Sequence, residues 1–380
     1  MDKLRLMTPG PTMVPPQVLA AMAGPMHHHR TAGHRRVFRE VTDHLGYVFG
    51  TSGDCLVITG SGTAAMEAAI VGVGGPDNKA LVFDGGKFGQ RWARTCAAYG
   101  IAHVVHRLEW GTGARAAMVE EYLRADPAID TVILTHSETS TAAVADLEGI
   151  AAVTRARGCL LVVDGITSVG ALPLPMDRWG ADIVVTGSQK ALMTPPGLGI
   201  VAVSPRAWER IDSFSSRSMY LCLKAYRRGL ATDDSPYTPA ITLMMGLRAA
   251  LEMIRAEGIE RIWARTARLA RATRAAVQAL NLAVFARDPA DSLTAVVVPE
   301  GLDEPVLRRR LRERFGLVVA GGQDQLKGRV FRVNHMGYVD EVDTLGLIGA
   351  LELVLAEMGH AFRRGAGLAA AAEILAQSGS

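Results

Sequence analysis

The chain is 380 residues long, 49% hydrophobic and 21% charged, and its 41 Lys and Arg against 38 Asp and Glu leave a net charge of +3. That composition excludes a disordered or collagen-like chain. A balance this near neutrality gives no ground for a nucleic-acid surface, which needs a large local excess of basic side chains. At this length a single core has usually stopped growing, so a large and a smaller domain with a cleft between them are expected. Only six lysines occur, Lys3, Lys79, Lys87, Lys190, Lys224 and Lys327, so any lysine chemistry comes from a short list. The four cysteines, Cys55, Cys96, Cys159 and Cys222, form no C-x-x-C pair, which argues against a disulfide framework or a zinc site and suits a reducing compartment. No run reaches the roughly 18 apolar residues that span a bilayer, and the first residues lack the apolar stretch of a signal peptide. A soluble, cytoplasmic protein without membrane partners is expected.

From about residue 55 to 203, short apolar runs alternate with longer amphipathic ones. Strands are predicted at 55–58, 80–83, 103–105, 131–134, 160–163, 183–185 and 199–203, most of them β-branched and bounded by Gly, Asp or Ser, as buried strands are. Helical spacing fills 63–73, 88–99 and 147–157 between them. The pattern predicts an α/β fold, a mostly parallel sheet with helices on both faces. Beyond residue 240, helices are predicted at 242–257, 259–280, 304–315 and 340–358, with strands at 294–298, 317–320 and 330–333. This reads as an N-terminal arm over 1–20, a large α/β domain over 21–257 and a smaller α+β domain over 258–380. The Ala-rich end from Gly365 is either an added helix or a frayed tail.

The run Val57-Ile58-Thr59-Gly60-Ser61-Gly62-Thr63-Ala64-Ala65 passes from strand to helix through small residues. Free N–H groups of a first helical turn, glycines that admit a ligand, and the hydroxyls of Ser61 and Thr63 make a phosphate seat. Taken alone it also fits G-x-G-x-x-A, and Asp84 follows the next strand, where a ribose-binding carboxylate would stand. A nicotinamide-dependent dehydrogenase therefore remains a competitor at this point.

Two later residues separate the readings. Leu160-Leu161-Val162-Val163-Asp164 puts a carboxylate at the carboxyl end of a buried strand, and Val184-Val185-Thr186-Gly187-Ser188-Gln189-Lys190 puts a lysine just past the next. Open α/β sheets bind ligands at the carboxyl ends of their strands, so Asp164, Lys190 and the phosphate seat converge on one crevice. Pyridoxal 5'-phosphate needs those three groups. The lysine condenses with its aldehyde and afterwards moves a proton; the carboxylate keeps its pyridine nitrogen protonated, which makes the ring an electron sink.

The sequence resembles the class V aminotransferases of fold type I, in the branch of alanine/serine–glyoxylate and serine–pyruvate aminotransferases. The resemblance runs from Thr8-Pro9-Gly10-Pro11-Thr12 to Arg332-Val333-Asn334-His335-Met336-Gly337, and rests on G-S-G-T-A-A-M-E-A at 60–68, T-H-S-E-T-S-T at 135–141 and G-S-Q-K-A-L at 187–192. It implies transamination between a small amino acid, alanine or serine, and a small 2-oxo acid, glyoxylate or pyruvate. Pyridoxal 5'-phosphate is the implied cofactor. Ser61, Gly62, Thr63 and Gln189 match phosphate contacts, and Phe88 matches an aromatic ring stacked on the pyridine, where many relatives carry Trp. Thr139 matches a contact near the ring hydroxyl, and Ile166 an apolar residue on the opposite ring face. Arg332 matches the arginine that holds the substrate α-carboxylate, a bidentate fork that lysine would not reproduce. Tyr237 and Thr238 match a segment that completes the neighbouring subunit's site, which implies a homodimer. Relatives usually show Gly where Asn334 stands, a difference expected to narrow or polarise the pocket.

The triplet His27-His28-His29 lacks nearby carboxylates, and three consecutive side chains do not converge on a metal. The arginines at 308–310, 312 and 314 share a helix with Leu307, Leu311 and Phe315 and read as its solvated face. Two rivals stay open. A cysteine desulfurase or another lyase of the same fold needs a loop cysteine after the lysine, and only Cys222 follows Lys190. Some related chains are labelled as a subunit of a soluble hydrogenase, which would make the protein a non-catalytic accessory subunit of a redox complex.

Overall fold

The computed structural model describes residues 4–75 and 77–377, so Lys3 and the last residues of the Ala-rich end lie outside the described part. Its main sheet has seven strands: β1 (Asp54–Thr59), β2 (Lys79–Asp84), β3 (Ala102–Arg107), β4 (Ile129–Thr135), β5 (Leu160–Asp164), β6 (Ile183–Gly187) and β7 (Leu198–Val203). Their order is β1-β7-β6-β5-β4-β2-β3, with β7 alone running antiparallel to its neighbours. The predicted strands are all present. The edge strand β3 differs from the expectation of burial: its residues are half-buried or exposed, whereas β1 at the opposite edge keeps its four middle residues buried.

The alternation within each strand sorts the side chains into two cores. Val57, Leu81, Leu134, Val163 and Val184 pack on one face with α1 (Ala32–Phe49). Ile58, Val82, Ile133, Val162 and Val185 pack on the other with α2 (Gly62–Val73) and α3 (Lys87–Ala98). The sheet is thus covered on both sides, and the carboxyl ends of β1, β2, β4, β5 and β6 open onto one edge.

After α4 (Ile241–Glu257) and α5 (Ile259–Ala279) comes a second, antiparallel sheet. It contains β8 (Ala283–Val284), β9 (Leu293–Val297), β10 (Ala320–Gly321) and β11 (Val330–Asn334) in the order β8-β9-β11-β10. Its core, with Leu269, Val296, Phe331 and Leu347, continues into α6 (Glu341–Glu357). The single strand expected at 317–320 is divided. Leu317–Val318 pairs in parallel with Arg5–Leu6, and Ala320–Gly321 turns to pair with β11. The N-terminal residues therefore lie on this part of the molecule, with Met7 in its core. The Ala-rich end forms a helix, α7 (Ala366–Ala376), whose Ala371 packs with Ala272 and Ala276 of α5.

Asp182, 3% exposed, ties the amino-terminal ends of the central strands together. Its carboxylate accepts from the Leu161 N–H at 2.8 Å, from Ser204 Oγ at 3.1 Å and from Arg206 Nε at 2.9 Å. Removing the carboxylate leaves the buried Leu161 N–H without its acceptor and takes the partner from Arg206. Asp182→Ala is expected to lower stability by about 3 kcal/mol, read as a drop in the urea midpoint; an unchanged midpoint would show that this cluster carries no stability.

Candidate active site

Asp164 and Lys190 stand where the sheet topology puts them, at the crevice edge of β5 and just past β6. Asp164 is 2% exposed. One carboxylate oxygen accepts from the Ile166 N–H at 2.9 Å, and the other, Oδ2, is buried and makes no well-formed hydrogen bond, with the unpaired indole N–H of Trp92 beside the carboxylate. Burial pushes its pKa up to about 6, helped by the nearby charge of Glu138 and opposed by the Ile166 N–H. A buried acceptor is left empty here that a cationic N–H donor would fill.

Lys190 is 9% exposed and donates from Nζ to the Pro9 carbonyl at 2.9 Å. Burial, joined by the Arg332 charge and opposed by Asp164, lowers its pKa to about 8. The N-terminal segment covers this amine. Gly10, at φ 142°, takes a backbone conformation that residues with a Cβ rarely adopt, and it passes so close that a Cβ there would push Nζ aside. Thr12 fastens the same segment, its N–H donating to the Gln189 carbonyl and its Oγ1 to the Lys190 carbonyl. Gln189 is half-buried with Oε1 unpartnered.

The expected phosphate turn opens α2. Ser61 is its exposed N-cap and makes no side-chain capping bond, and no acidic residue lies in the first turn. Gly62 has no room for a Cβ, because Ile166 Cδ1 would lie 2.8 Å from it. That contact joins the turn to the Asp164 loop. Thr63 Oγ1 accepts from Arg91 Nη1 at 3.0 Å. Phe88 is half-buried in the first turn of α3, and its backbone N–H donates to Glu138 Oε2.

Arg332, 6% exposed on β11, reaches toward the crevice from the smaller sheet. Nε and Nη2 donate to the Gly321 carbonyl at 3.0 and 2.8 Å, and Nη1 to the Thr139 carbonyl at 2.8 Å. Burial lowers its pKa to about 10. The Thr139 hydroxyl lies 3.1 Å from Thr167 Oγ1, which itself donates to the Ser137 carbonyl, so Thr139 is the donor and keeps its lone pairs free. Asn334 bonds the backbone of Met336 through both polar ends of its side chain, which closes a local turn.

Tyr237 and Thr238 are set apart from this cluster. The Tyr237 hydroxyl donates to the Met219 carbonyl while its ring stacks on Tyr220, and Thr238 is exposed. Among the described residues no group of three His, Cys, Asp or Glu side chains is placed to hold a metal ion. His27 is spent on a 3.1 Å contact with His34.

Three contributors went unmarked in the sequence reading. Glu138 accepts from the N–H groups of Phe88, Gly89 and Ser140, and so holds the first turn of α3 against the loop that carries Thr139. Pro9 supplies the carbonyl for Lys190. Arg91 sits one turn beyond Phe88 on the same helix, a spacing visible in the sequence.

The family model for aminotransferase class-V matches residues 5–336. The chain belongs to the class V aminotransferases. It is 41% identical to the soluble hydrogenase small subunit of Synechococcus sp. (strain PCC 6716), over 98% of this chain and 99% of that one. It is 36% identical to the L-aspartate–glyoxylate aminotransferase of Paracoccus denitrificans (strain Pd 1222), over 96% and 94%. Its structure matches that of the ureidoglycine–glyoxylate aminotransferase of Bacillus subtilis with a TM-score of 0.94 and 26% identity, over 99% of each chain. The fold is fold type I, and the enzyme is a pyridoxal-phosphate-dependent aminotransferase by family. The dehydrogenase reading of Gly60–Ala65 and Asp84 gives way to this.

A buried acid with a raised pKa makes the fold less stable as it ionises. For cofactor-free protein, the cost of ionising Asp164 is absent below the ordinary pKa of 3.8, grows as pH rises, and is complete above about 6. A rise of this size corresponds to roughly 3 kcal/mol. Cofactor-free Asp164→Asn is expected to exceed wild type in stability by about that much at pH 8, with the difference vanishing below pH 4 in urea titrations. A pH-independent difference would contradict the assignment.

Proposed function

We propose that this crevice binds pyridoxal 5'-phosphate and runs transamination between a small amino acid and a small 2-oxo acid. The observation that carries the reading is the pairing of an unpartnered, buried Asp164 oxygen with a buried Lys190 amine of lowered pKa in one crevice. The donor set suits the cofactor: an orphaned acceptor for a protonated pyridine nitrogen, a readily neutral amine for the aldehyde, and an uncapped helix start for the phosphate. When bound, the cofactor supplies an electron sink for the substrate carbon.

The protein's residues do the rest. Asp164 holds the proton on the ring nitrogen through the ion pair. Ser61, Gly62, Thr63 and Gln189 hold the phosphate. Phe88 would offer the ring an aromatic face and Ile166 an apolar contact, and Thr139 would offer its free lone pairs to the ring hydroxyl. Arg332 would hold the substrate α-carboxylate and so fix the amino group, exchanging guanidinium bonds now made to Gly321, Thr139 and Gln323. Lys190 would be the amine that engages the cofactor aldehyde, and as a free amine, its pKa lowered to about 8 by burial, it would move the proton at the substrate carbon. The lid of Pro9 and Gly10 keeps water from that amine.

Glyoxylate is the proposed acceptor, since the Paracoccus and Bacillus relatives are both named as glyoxylate aminotransferases. Alanine or serine is the proposed donor, as the sequence resemblance implies. L-Aspartate is a second donor reading, favoured by the Paracoccus relative. A homodimer is proposed in which Tyr237 and Thr238 complete the partner's site, consistent with their outward placement. A cytoplasmic location is proposed as well; among the described residues no helix is long and apolar enough to cross a membrane. A cysteine desulfurase finds no support in Cys222, which is placed at the start of the helix Leu223–Leu230 and lines an open recess with Arg228 and Tyr237. An accessory subunit without chemistry would have no use for Lys190 and Asp164 so arranged.

The test is a donor screen. Purified protein is expected to show the visible absorption of a lysine-bound cofactor, bleached by alanine or serine and restored by glyoxylate. Lys190→Ala is expected to lower turnover by roughly a thousandfold. Absence of the band in wild type, together with full activity in Lys190→Ala, would overturn the proposal.

A further inference from the structure

The half-buried guanidinium of Arg91 has an unusual setting. Nη1 donates to Thr63 Oγ1 at 3.0 Å, and the guanidinium carbon lies 4.9 Å from the centre of the Phe88 ring. That hydroxyl bond is its one side-chain hydrogen bond among the described residues, and no carboxylate there pairs with it. The charge stands beside the first turn of α2, which has neither an acidic residue nor a side-chain cap. A cation and the positive end of a helix dipole held together without an anion repel each other, so the arrangement is stable to the extent that an anion joins it. Arg91 also adds to the field that lowers the Lys190 pKa and that favours ionised Asp164, which places it in the same crevice.

We propose that Arg91 is a ligand for the cofactor's anionic group, neutralising the phosphate monoester held at the start of α2. The assignment rests on the cofactor reading above. A phosphate monoester carries about −1.5 to −2 charge at pH 7, more than the helix start and hydroxyls alone would balance. Arg91 is anchored at Thr63, and its flat guanidinium offers further N–H groups beyond the one spent there. The crevice then has two anion poles: Arg91 with the α2 start for the cofactor, and Arg332 for the substrate carboxylate. With both cations acting on Lys190, one at each pole, the arrangement also fixes which way round the cofactor and substrate lie.

A purely structural role, propping the Phe88 ring, predicts different behaviour, and equilibrium binding separates the two without reference to activity. Cofactor-free wild type, Arg91→Lys and Arg91→Met would each be titrated with pyridoxal 5'-phosphate and with pyridoxal, which lacks the phosphate, following protein fluorescence. Arg91→Met is expected to weaken binding of the phosphorylated form by roughly ten- to a hundredfold while changing pyridoxal binding less than about twofold. Arg91→Lys is expected to fall between, and added inorganic phosphate to compete more strongly in wild type than in Arg91→Met. Circular dichroism verifies the fold, with Arg91→Gln as the replacement should Arg91→Met fail to fold. Equal loss for both forms, or no loss for either, overturns the assignment alone. Wild type that binds neither form overturns it together with the cofactor reading.

Discussion

A carboxylate buried at the end of β5, with one oxygen left empty, is the constraint around which this molecule is organised. Burying an ionised acid without a partner is costly, and the fold does little to relieve it: Asp164 receives a single backbone donor. The amine that might have paired with it is turned instead to the Pro9 carbonyl. Two opposite ionisable groups thus share a crevice without neutralising each other, and burial biases both toward their neutral forms. Such an arrangement is stable with a third group that is cationic toward the acid and electrophilic toward the amine.

The scaffold positions these groups by simple means. Strand order brings the ends of β5 and β6 side by side, and Gly62 lets Ile166 lock the start of α2 against the Asp164 loop. Glu138 couples the helix carrying Phe88 and Arg91 to the turn carrying Thr139, whose carbonyl in turn holds Arg332. Arg332 arrives from the second sheet, so closure of the site depends on how the two sheets are joined. The arm of residues 5–12 makes that junction, pairing with Leu317–Val318 and capping Lys190.

Much of this was legible in the chain. The central strands announced themselves as β-branched runs ended by Gly, Asp or Ser, and Asp164 and Lys190 were visible because each directly follows such a run. The division of 317–320 was not legible, since its partner Arg5–Leu6 lies about three hundred residues away and pairing over that distance leaves no local pattern. Gly10 stands within the recognised motif Thr8–Thr12, but neither its φ of 142° nor its close approach to Lys190 is displayed by the sequence. Glu138 sat inside a recognised motif, yet its work is done on backbone N–H groups of a distant helix, which sequence does not display. Asn334 also stands within a recognised motif, and its two bonds to the Met336 backbone are not displayed there.

The most direct measurement is the protonation state of Asp164 itself, with and without ligand. At pH 5 the cofactor-free protein is expected to show the infrared carbonyl band of a protonated carboxylic acid, absent from Asp164→Asn. Adding pyridoxal 5'-phosphate is expected to abolish the band as the acid ionises against the ring nitrogen. A band that persists unchanged after the cofactor binds, or an Asp164 already ionised without it, would contradict the account.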